Sequence, residues 1–408
     1  MDRLCPRAED GQDAAAHSPS LGELLRACLS SAADLLQLGA RPLRVLRRLA
    51  ACGTPQLGFN LYQCCACHQR HFGPRSCGDR HCPRCLAAKS RHWLKQQLAS
   101  LLPIPYYHCV FTLPSDLHAL FLLNPKRLYR LLFDCASQTL LQFGRHRLGG
   151  DLGLTAVLHT WGQQLNFHPH LHCIVTGGAL RPDGRRWRSP RQRKFLFPVR
   201  AVAALFRAKL LAGLRPMLEG GEPLRLPDGF PTPGQARRRW FSKLYAQRWV
   251  VYAKRPFGGP EQVLSYLAHY THRVAISNRR LLAWDEPSRT VTFTYRDYRH
   301  ASQVKTRTLS AVQFIRRFSW HILPAGLVRI RHYGILANNR RQRDIARARA
   351  ILQRRHRRQP PTASQPACSP PPPRRCPHCG HDRLRWIGFI DAHGQTHLRS
   401  SPTIWDSS

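Results

Sequence analysis

Histidines recur at every second position in one short stretch of the chain, LNFHPHLHCIVTGG at residues 165–178. Alternate side chains of a β-strand share a face, so His170 and His172 are expected to present two imidazoles side by side. Neutral imidazole is a common ligand of divalent metal ions. This spacing predicts a metal site on a strand, with surface histidines on an ordinary strand as the alternative.

A neighbouring strand can supply a third ligand to this site. Residues 153–162 read as a strand, and a hairpin with the histidine strand would bring His159 close to His170 and His172. His168, at the edge of the connecting loop, is not expected to bind the ion. The alternatives for the third ligand are Gln163 and Gln164.

Cysteines form a second group of metal-binding residue types. Six of the fifteen cysteines fall between Cys64 and Cys85, which indicates metal binding in a reducing cytoplasm rather than a disulfide framework. Two Cys-x-x-Cys turns, fourteen residues apart, each present two thiolates and together predict a tetrahedral zinc site. The expected ligands are Cys64, Cys67, Cys82 and Cys85, with Cys77 as a further candidate. Other residues that could take part are Cys65, His68, His71 and His81.

The C-terminal tail contains a further candidate zinc site. After a Pro-rich linker at residues 359–373, Cys376 and Cys379 are separated by two residues. His393 and His397 follow at a spacing close to that of a finger with two cysteines and two histidines. The alternative for this segment is a disordered tail.

A candidate nucleophile lies on a predicted helix that begins near Pro260. Tyr266 and Tyr270 are four residues apart, so their hydroxyl groups share one helical face. A tyrosine oxygen can attack phosphorus and become covalently linked to DNA, while a divalent ion polarises the scissile phosphate. Two tyrosines on one face would permit two successive strand transfers; aromatic packing is the alternative role for such a pair.

The charge of the chain favours nucleic acid as the partner. Its 408 residues contain 64 Lys plus Arg against 22 Asp plus Glu, a formal net charge of +42 that a polyanion would neutralise. An anionic membrane surface is the competing partner. However, no apolar run approaches the length of about 18 residues that a membrane span needs, and we expect no secretory signal.

Arginines are concentrated near the C-terminal end. Residues 316–358 contain thirteen Arg and a single acid, Asp344, and include a strongly basic helix that we expect to bind DNA; a solvated face is the alternative. The candidate DNA contacts are Arg340, Arg341 and Arg343, together with Arg273 beyond the tyrosine pair.

Periodicity and turn residues predict an α+β fold of several parts. Strands are expected at 106–114, 153–162, 170–178 and 249–254, with a long helix at 117–148 and a hairpin at 281–298. The expected division is a disordered leader (1–20), a helical and zinc-binding module (21–102), a catalytic domain (103–310), a basic helical region (311–358) and a linker with a small tail (359–408).

Together these motifs resemble known DNA-processing enzymes. His170-Leu171-His172 resembles the motif of the HUH endonucleases, and the pair Tyr266 and Tyr270 resembles their paired-tyrosine helix. More closely, the chain resembles the transposases of the insertion-sequence-91 family. The similar segments are SCGDRHCPRC (76–85), HTWGQQLNFHPHLHCIVTGG (159–178), KRPFGGPEQVLSYLAHYTHRVAISN (254–278) and FIRRFSWHILPAGLVRIRHYGILANNRR (314–341).

The resemblance implies rolling-circle transposition of an insertion sequence, with single-stranded DNA nicked and transferred through a 5′-phosphotyrosine. Tyr266 and Tyr270 would be the nucleophiles, and His170 and His172 would hold Mg²⁺ or Mn²⁺. The N-terminal zinc module would help to bind DNA at the ends of the element. The resemblance also implies an antiparallel five-stranded catalytic sheet flanked by helices. We would then expect the protein in the bacterial cytoplasm, at the nucleoid.

Three other functions would each explain part of these features. A relaxase or replication initiator would use the same chemistry, but the zinc module and the C-terminal segments argue against it by resemblance. A non-catalytic zinc-containing DNA-binding regulator would explain the charge and the cysteines, but not the joint histidine and tyrosine motifs. A transposase with a carboxylate-held metal pair is disfavoured because acids are scarce.

Overall fold

The computed structural model describes residues 18–32, 38–86, 101–191, 196–220, 222–254, 274–298, 300–356 and 375–399. Tyr266, Tyr270 and Arg273 lie outside these ranges. Within them, helices and antiparallel sheets form the expected α+β fold. No helix of this part of the chain is long and apolar enough to cross a membrane.

The helices and strands are numbered in chain order. The helices are α1 (Leu21–Ala32), α2 (Ala40–Ala50), α3 (His118–Leu123), α4 (Pro125–Phe143), α5 (Val199–Glu219), α6 (Gln235–Ala246), α7 (Ala311–Ser319) and α8 (Arg341–His356). The strands are β1 (Phe59–Cys64), β2 (Arg70–Pro74), β3 (Tyr106–Thr112), β4 (Gly153–Trp161), β5 (Phe167–Thr176), β6 (Ala179–Leu180), β7 (Trp187–Arg188), β8 (Val251–Lys254), β9 (Leu281–Asp285), β10 (Thr290–Asp297), β11 (Gln303–Ser310), β12 (Ile330–Gly334), β13 (Leu384–Ile390) and β14 (Thr396–Leu398).

The largest sheet has five antiparallel strands in the order β12-β4-β5-β3-β8. Side chains alternate across it, so Leu171, Cys173 and Val175 of β5 enter the main hydrophobic core with α4 and α5. Ile174, on the opposite face, packs in a separate core with α8. The sheet is therefore covered on both faces, which explains why β4 and β5 are rich in apolar residues.

The single long helix expected at 117–148 is divided by Pro125. Proline restricts the residue before it, and Asn124 has left the helical region with φ −126° and ψ 49°. Pro125 itself begins α4, where its missing N–H leaves no helical hydrogen bond unmade. The side chain of Asn124 then ties this break to the loop after α5, because its Oδ1 accepts from the N–H of Arg225 at 2.8 Å.

The N-terminal helices pack against segments from much later in the chain. Leu24 of α1 and Leu46 of α2 share one core with Phe293 of β10 and Phe314 of α7. Leu165, from the loop between β4 and β5, enters the same core and is fully buried. This second core therefore joins the start of the chain to the hairpin loop of the central sheet.

Two strands cross the domain boundaries that the sequence suggests. β12, from the region expected to be a separate basic domain at 311–358, pairs with β4 in the central sheet. β13, from the expected tail at 359–408, pairs with β1 of the N-terminal module. Strand pairing thus connects segments that the sequence places in different domains.

Candidate functional site

Three imidazoles converge on the face of the central sheet that lies opposite the main core. The β4–β5 register pairs His159 with His170 and sets His172 opposite Val157. The ligand atoms of His159, His170 and His172 all lie within 4.8 Å of one another. Nε2 of His170 is 3.1 Å from Nε2 of His172. The hairpin thus brings together the three histidines proposed from the sequence.

Neighbouring groups fix the orientation of two of these rings. Nδ1 of His170 donates to the carbonyl oxygen of His168 at 2.7 Å, so its Nε2 carries the lone pair and is directed at the cluster. Nδ1 of His172 is 2.9 Å from Nε2 of His108, and the two rings stack with 5° between their planes. Hydrogen bonds of this kind, made by the second nitrogen, orient metal-binding histidines in proteins.

His108, on β3, is a part of this site that the sequence analysis missed. In the register between β3 and β5, His108 lies opposite Ile174 and not opposite His170 or His172. Its only signal in the sequence is a polar residue within the apolar strand YYHCVFTLP. The side chain is almost fully buried, as expected for a group that acts through a ligand.

The histidine cluster is largely shielded from solvent. His159 and His172 are 2% and 8% exposed, and Trp161 stacks on His159 with a centroid distance of 4.6 Å. Desolvation lowers the pKa of His170 to about 4, so this imidazole is uncharged at pH 7 and able to donate its lone pair. Such a set of buried nitrogens fits a divalent cation.

The glutamines considered as alternative ligands are engaged elsewhere. Nε2 of Gln163 donates to the hydroxyl of Tyr298 at 3.3 Å, and Oε1 of Gln164 accepts from Arg307. Leu165, which lies between the two glutamines and β5, adopts a positive φ of 57°. Its side chain enters the second core. These contacts hold the hairpin loop against β10 and β11 rather than over the histidines.

The first cysteine cluster contains one residue that the sequence did not suggest. The sulfurs of Cys52, Cys77, Cys82 and Cys85 lie within 4.8 Å of one another. The backbone of Arg75 explains this, since it hydrogen-bonds both Gly53 and Gly58 and holds the chain after β2 beside the end of α2. A hydrogen bond from Cys77 lowers the pKa of Cys82, which favours the thiolate that zinc binds.

The expected set of Cys64, Cys67, Cys82 and Cys85 is therefore divided between two places. Cys64 and Cys67 lie at the turn between β1 and β2. At this turn they are close to Cys376 and Cys379 of the tail and not to Cys82 and Cys85. The second cluster consists of Cys64, Cys67, Cys376 and Cys379, again with all sulfurs within 4.8 Å.

The structure does not bring His393 and His397, the tail histidines expected to bind zinc, to this cluster. Nε2 of His397 is 3.0 Å from Oδ2 of Asp391, and its ring stacks on Phe389. His393 lies in the turn between β13 and β14, where its N–H donates to Oδ1 of Asp391 at 2.9 Å. The strand pair thus directs both residues away from Cys376 and Cys379.

Of the four additional zinc candidates, only His71 contacts a sulfur of a cysteine cluster in the part of the chain that the structure describes. Nδ1 of His81 is 2.7 Å from Oδ1 of Asp79, and its Nε2 accepts from the N–H of Leu323 at 3.1 Å. His68 has a positive φ of 58° in the turn, and Cys65 is exposed. His71 approaches the second cluster, with Nε2 3.1 Å from Sγ of Cys376.

The chain matches family models and known proteins that are described as transposases. A family model described as "Transposase zinc-binding domain" matches residues 25–113, and one described as "Putative transposase" matches residues 153–343. The "Putative transposase y4qJ" of Sinorhizobium fredii (strain NBRC 101917 / NGR234) is 39% identical over 376 residues, which is 90% of this chain and 92% of that protein. The "Transposase for insertion sequence element IS801" of Pseudomonas savastanoi pv. phaseolicola is 31% identical over 309 residues, 74% of this chain and 72% of that one.

The chain belongs to the insertion-sequence-91 family of transposases. The family resemblance seen in the sequence is thereby confirmed, and so is a zinc-binding domain on the N-terminal side. The histidine cluster falls within the transposase match, and the first cysteine cluster falls within the zinc-binding match. Cys376 and Cys379 lie outside both matched ranges.

Some arginines suggested as DNA contacts of the transposase also anchor α8. Asp344 is 1% exposed and accepts from Arg340 and from Nε of Arg343, the latter at 3.0 Å. Arg340 also donates to Asp151 at 3.0 Å, which ties α8 to the loop before β4. The Arg343 side chain remains 58% exposed and the Arg341 side chain half-buried.

Proposed function

We propose that this transposase nicks and transfers single-stranded DNA at the ends of an insertion sequence through a 5′-phosphotyrosine, as rolling-circle transposition requires. The observation that carries the proposal is the set of His159, His170 and His172, whose ligand atoms lie within 4.8 Å. A non-catalytic DNA-binding regulator would have no use for three imidazoles gathered on one sheet face, two of them buried, because burying polar groups costs free energy.

The histidine cluster would hold a divalent ion, Mg²⁺ or Mn²⁺. When bound, the ion would polarise the scissile phosphate and neutralise charge that develops in the transition state. His170 and His172 would be ligands, with His159 as the third. Because imidazole nitrogen is a softer ligand than carboxylate oxygen, we expect Mn²⁺ to bind more tightly than Mg²⁺.

The end of β8 supports the assignment of the nucleophile. The register sets Lys254, the last residue of β8, opposite His108 on β3, and His108 contacts His172. The segment with Tyr266 and Tyr270 follows twelve and sixteen residues later in the chain (266 − 254 and 270 − 254). β8, the strand that precedes this segment in the chain, is separated by β3 alone from β5, which carries two of the proposed metal ligands.

In the proposed reaction, one tyrosine oxygen forms a bond to the scissile phosphorus and loses its proton. The phosphorus–O3′ bond breaks, and the leaving oxygen takes up a proton to become a free 3′ hydroxyl. The phosphotyrosine keeps the energy of the broken bond, so a 3′ hydroxyl can later displace it without ATP. The second tyrosine allows a second strand to be taken up before the first is released.

The net charge of +42 supports DNA as the partner, because basic side chains release counterions from the phosphate backbone. We further propose that Cys52, Cys77, Cys82 and Cys85 hold a structural zinc ion within the zinc-binding domain. A protein with these activities would act in the bacterial cytoplasm, at the nucleoid.

A covalent adduct tests the nucleophile. Wild-type protein, incubated with Mn²⁺ and single-stranded DNA that carries an element end, should form a protein–DNA adduct that survives denaturation. Tyr266→Phe combined with Tyr270→Phe should remove the adduct, because no phenol oxygen remains to attack. Denaturing electrophoresis of labelled DNA measures it, and the two single variants assign the roles.

The matched control is Tyr252→Phe, since Tyr252 is 52% exposed on β8 and outside the pair. This variant should form the adduct at the wild-type level. A double variant that still forms adduct would overturn the nucleophile assignment. DNA binding by the double variant, measured in parallel, should be unchanged.

A second prediction concerns His108 as a positioning residue. His108→Ala should raise the Mn²⁺ concentration that gives half-maximal cleavage about 10- to 100-fold, because His172 loses the partner that orients it. Saturating Mn²⁺ should restore most of the rate. A titration of initial cleavage rate against Mn²⁺ measures both effects.

The control for this titration is His332→Ala on the same sheet. Nδ1 of His332 is 2.9 Å from the hydroxyl of Thr155, so this variant also loses one hydrogen bond of a histidine on the sheet. Its Mn²⁺ requirement should be that of the wild type. An equal shift in both variants would mean that His108 acts through the stability of the sheet and not through His172.

A further inference from the structure

We propose that the two ends of the transposase jointly build a second zinc site. Cys64 and Cys67 would supply two thiolates from the β1–β2 turn, and Cys376 and Cys379 would supply two from the tail. The sequence alone predicts that these two pairs belong to different sites. Neither matched family range contains both pairs, so this site lies beyond the zinc-binding domain as the family model defines it.

The distances between the sulfurs fit a tetrahedral ion. With Zn–S bonds of about 2.3 Å, two sulfurs of such a site lie about 3.8 Å apart. Sγ of Cys64 is 3.6 Å from Sγ of Cys379, and Sγ of Cys67 is 3.7 Å from Sγ of Cys376. These separations are far longer than the S–S bond of about 2.0 Å in a disulfide. The first cluster has a similar sulfur separation, since Sγ of Cys77 is 3.6 Å from Sγ of Cys85.

Both pairs lie in turns that are shaped to bind a metal. In the first, the N–H of Ala66 points at Sγ of Cys64 at 3.4 Å, and Cys64 and Gln69 close the turn by a backbone hydrogen bond. In the tail, the N–H of Gly380 donates to the carbonyl of Cys376 at 2.9 Å. Gly380 has a φ of 72°, a conformation that glycine adopts without strain.

Strand pairing aligns the two turns. β13 lies antiparallel to β1 over its whole length, with Leu384 opposite Cys64, and the N–H of Cys65 donates to the carbonyl of Arg383 at 3.1 Å. The side chains of β13 are only half-buried, and its one buried residue, Gly388, has no side chain, so this contact buries less apolar surface than a strand in a core would. A metal ion at the end of the strand pair would supply the stability that the contact lacks.

His71 would support the ion from outside the ligand set. Its Nε2 is 3.1 Å from Sγ of Cys376, a distance that allows an N–H to donate to a thiolate. Four thiolates around Zn²⁺ carry a net charge of −2, and such hydrogen bonds offset part of that charge. The site would thus fasten the tail to the N-terminal sheet, across the segment at residues 357–374.

Zinc counting on the full-length protein tests the shared site. Cys376→Ser with Cys379→Ser should lower the zinc content by one equivalent relative to the wild type, as measured by plasma mass spectrometry. Cys64→Ser with Cys67→Ser should lower it by one as well. All four substitutions together should still remove one equivalent, because both pairs serve one ion. The matched control is Cys65→Ser, an exposed thiol outside the cluster, which should lose none.

Thiol alkylation identifies which site is lost. In the tail variant, Cys64 and Cys67 should become reactive, while Cys82 and Cys85 stay protected and show that the rest of the protein is folded. If Cys82 and Cys85 also become reactive, the conservative variant Cys379→His decides, because histidine can replace one thiolate. Retention of the full zinc content in that variant supports the site, and loss of an equivalent overturns it.

Two results would overturn the proposal directly. A tail variant with the zinc content of the wild type would show that Cys376 and Cys379 bind no zinc. Loss of two equivalents in the four-cysteine variant would show that the two pairs bind separate ions, as the sequence alone suggested. Neither result depends on transposase activity, so these measurements test the shared zinc site independently of the proposed function.

Discussion

His170→Ala combined with His172→Ala should abolish DNA cleavage by the transposase and leave DNA binding close to the wild-type level. The two substitutions remove two of three proposed ligands, and a metal ion contributes several kcal/mol of transition-state stabilisation. Since each 1.36 kcal/mol changes a rate tenfold, we expect cleavage to fall by about 10³-fold or more. The initial rate on single-stranded DNA with Mn²⁺ measures this, and fluorescence anisotropy at fixed salt measures binding.

His168→Ala is the matched control for this pair. His168 lies on the same strand and the same face, and its ring is 5.1 Å from that of His170. The part of His168 that orients His170 is its backbone carbonyl, which alanine retains. The control should therefore cleave at a rate within a few-fold of the wild type.

The outcome separates a catalytic from a structural role. Persistent cleavage in the double variant would remove the histidine cluster from the mechanism. Loss of DNA binding together with cleavage would instead indicate that the imidazoles support the fold of β5. A normal thermal unfolding transition of the variant distinguishes the two further.

The local part of the histidine site could be predicted from the sequence, and the remote part could not. The two-residue period of a strand places His170 and His172 on one face, and the short loop after β4 brings His159 opposite His170. His108 reaches the site only through the register between β3 and β5, strands separated by two helices and by β4. That register depends on tertiary packing, which leaves no periodic signal in the sequence.

The grouping of the cysteines into two clusters could likewise be predicted only in part from the sequence. The Cys-x-x-Cys spacing identifies a turn with two thiolates, but it does not determine which turn shares a metal with which. Cys52 has no nearby partner in the sequence and joins its cluster because α2 ends beside the segment after β2. The sequence gives no clear strand signal for β12: its residues IRHYG show little apolar alternation, because β12 is an edge strand of the central sheet.

Cys82→Ser combined with Cys85→Ser should unfold the second core while the central sheet remains. Cys77, Cys82 and Cys85 lie in the same hydrophobic cluster as Leu24 and Phe314, so the proposed zinc ion would be part of that core. Structural zinc contributes about 10–16 kcal/mol in zinc-finger peptides, which is comparable with the total stability of a domain, about 5–15 kcal/mol. The main core around β4 and β5 contains none of these three cysteines.

Hydrogen exchange followed by mass spectrometry resolves the two cores. Peptides from α1, α2 and α7 should lose protection in the variant, and peptides from β3 and α4 should keep it. The matched control is Cys28→Ala, a buried thiol of the same core outside the cluster, which should cost only the 1–2 kcal/mol or so typical of a small core truncation. Because Leu165 joins this core to the β4–β5 loop, we also expect that loop to lose protection, and cleavage to fall with it. Uniform loss of protection across both cores would show that zinc supports the whole fold, and unchanged exchange would show that this cluster needs no metal.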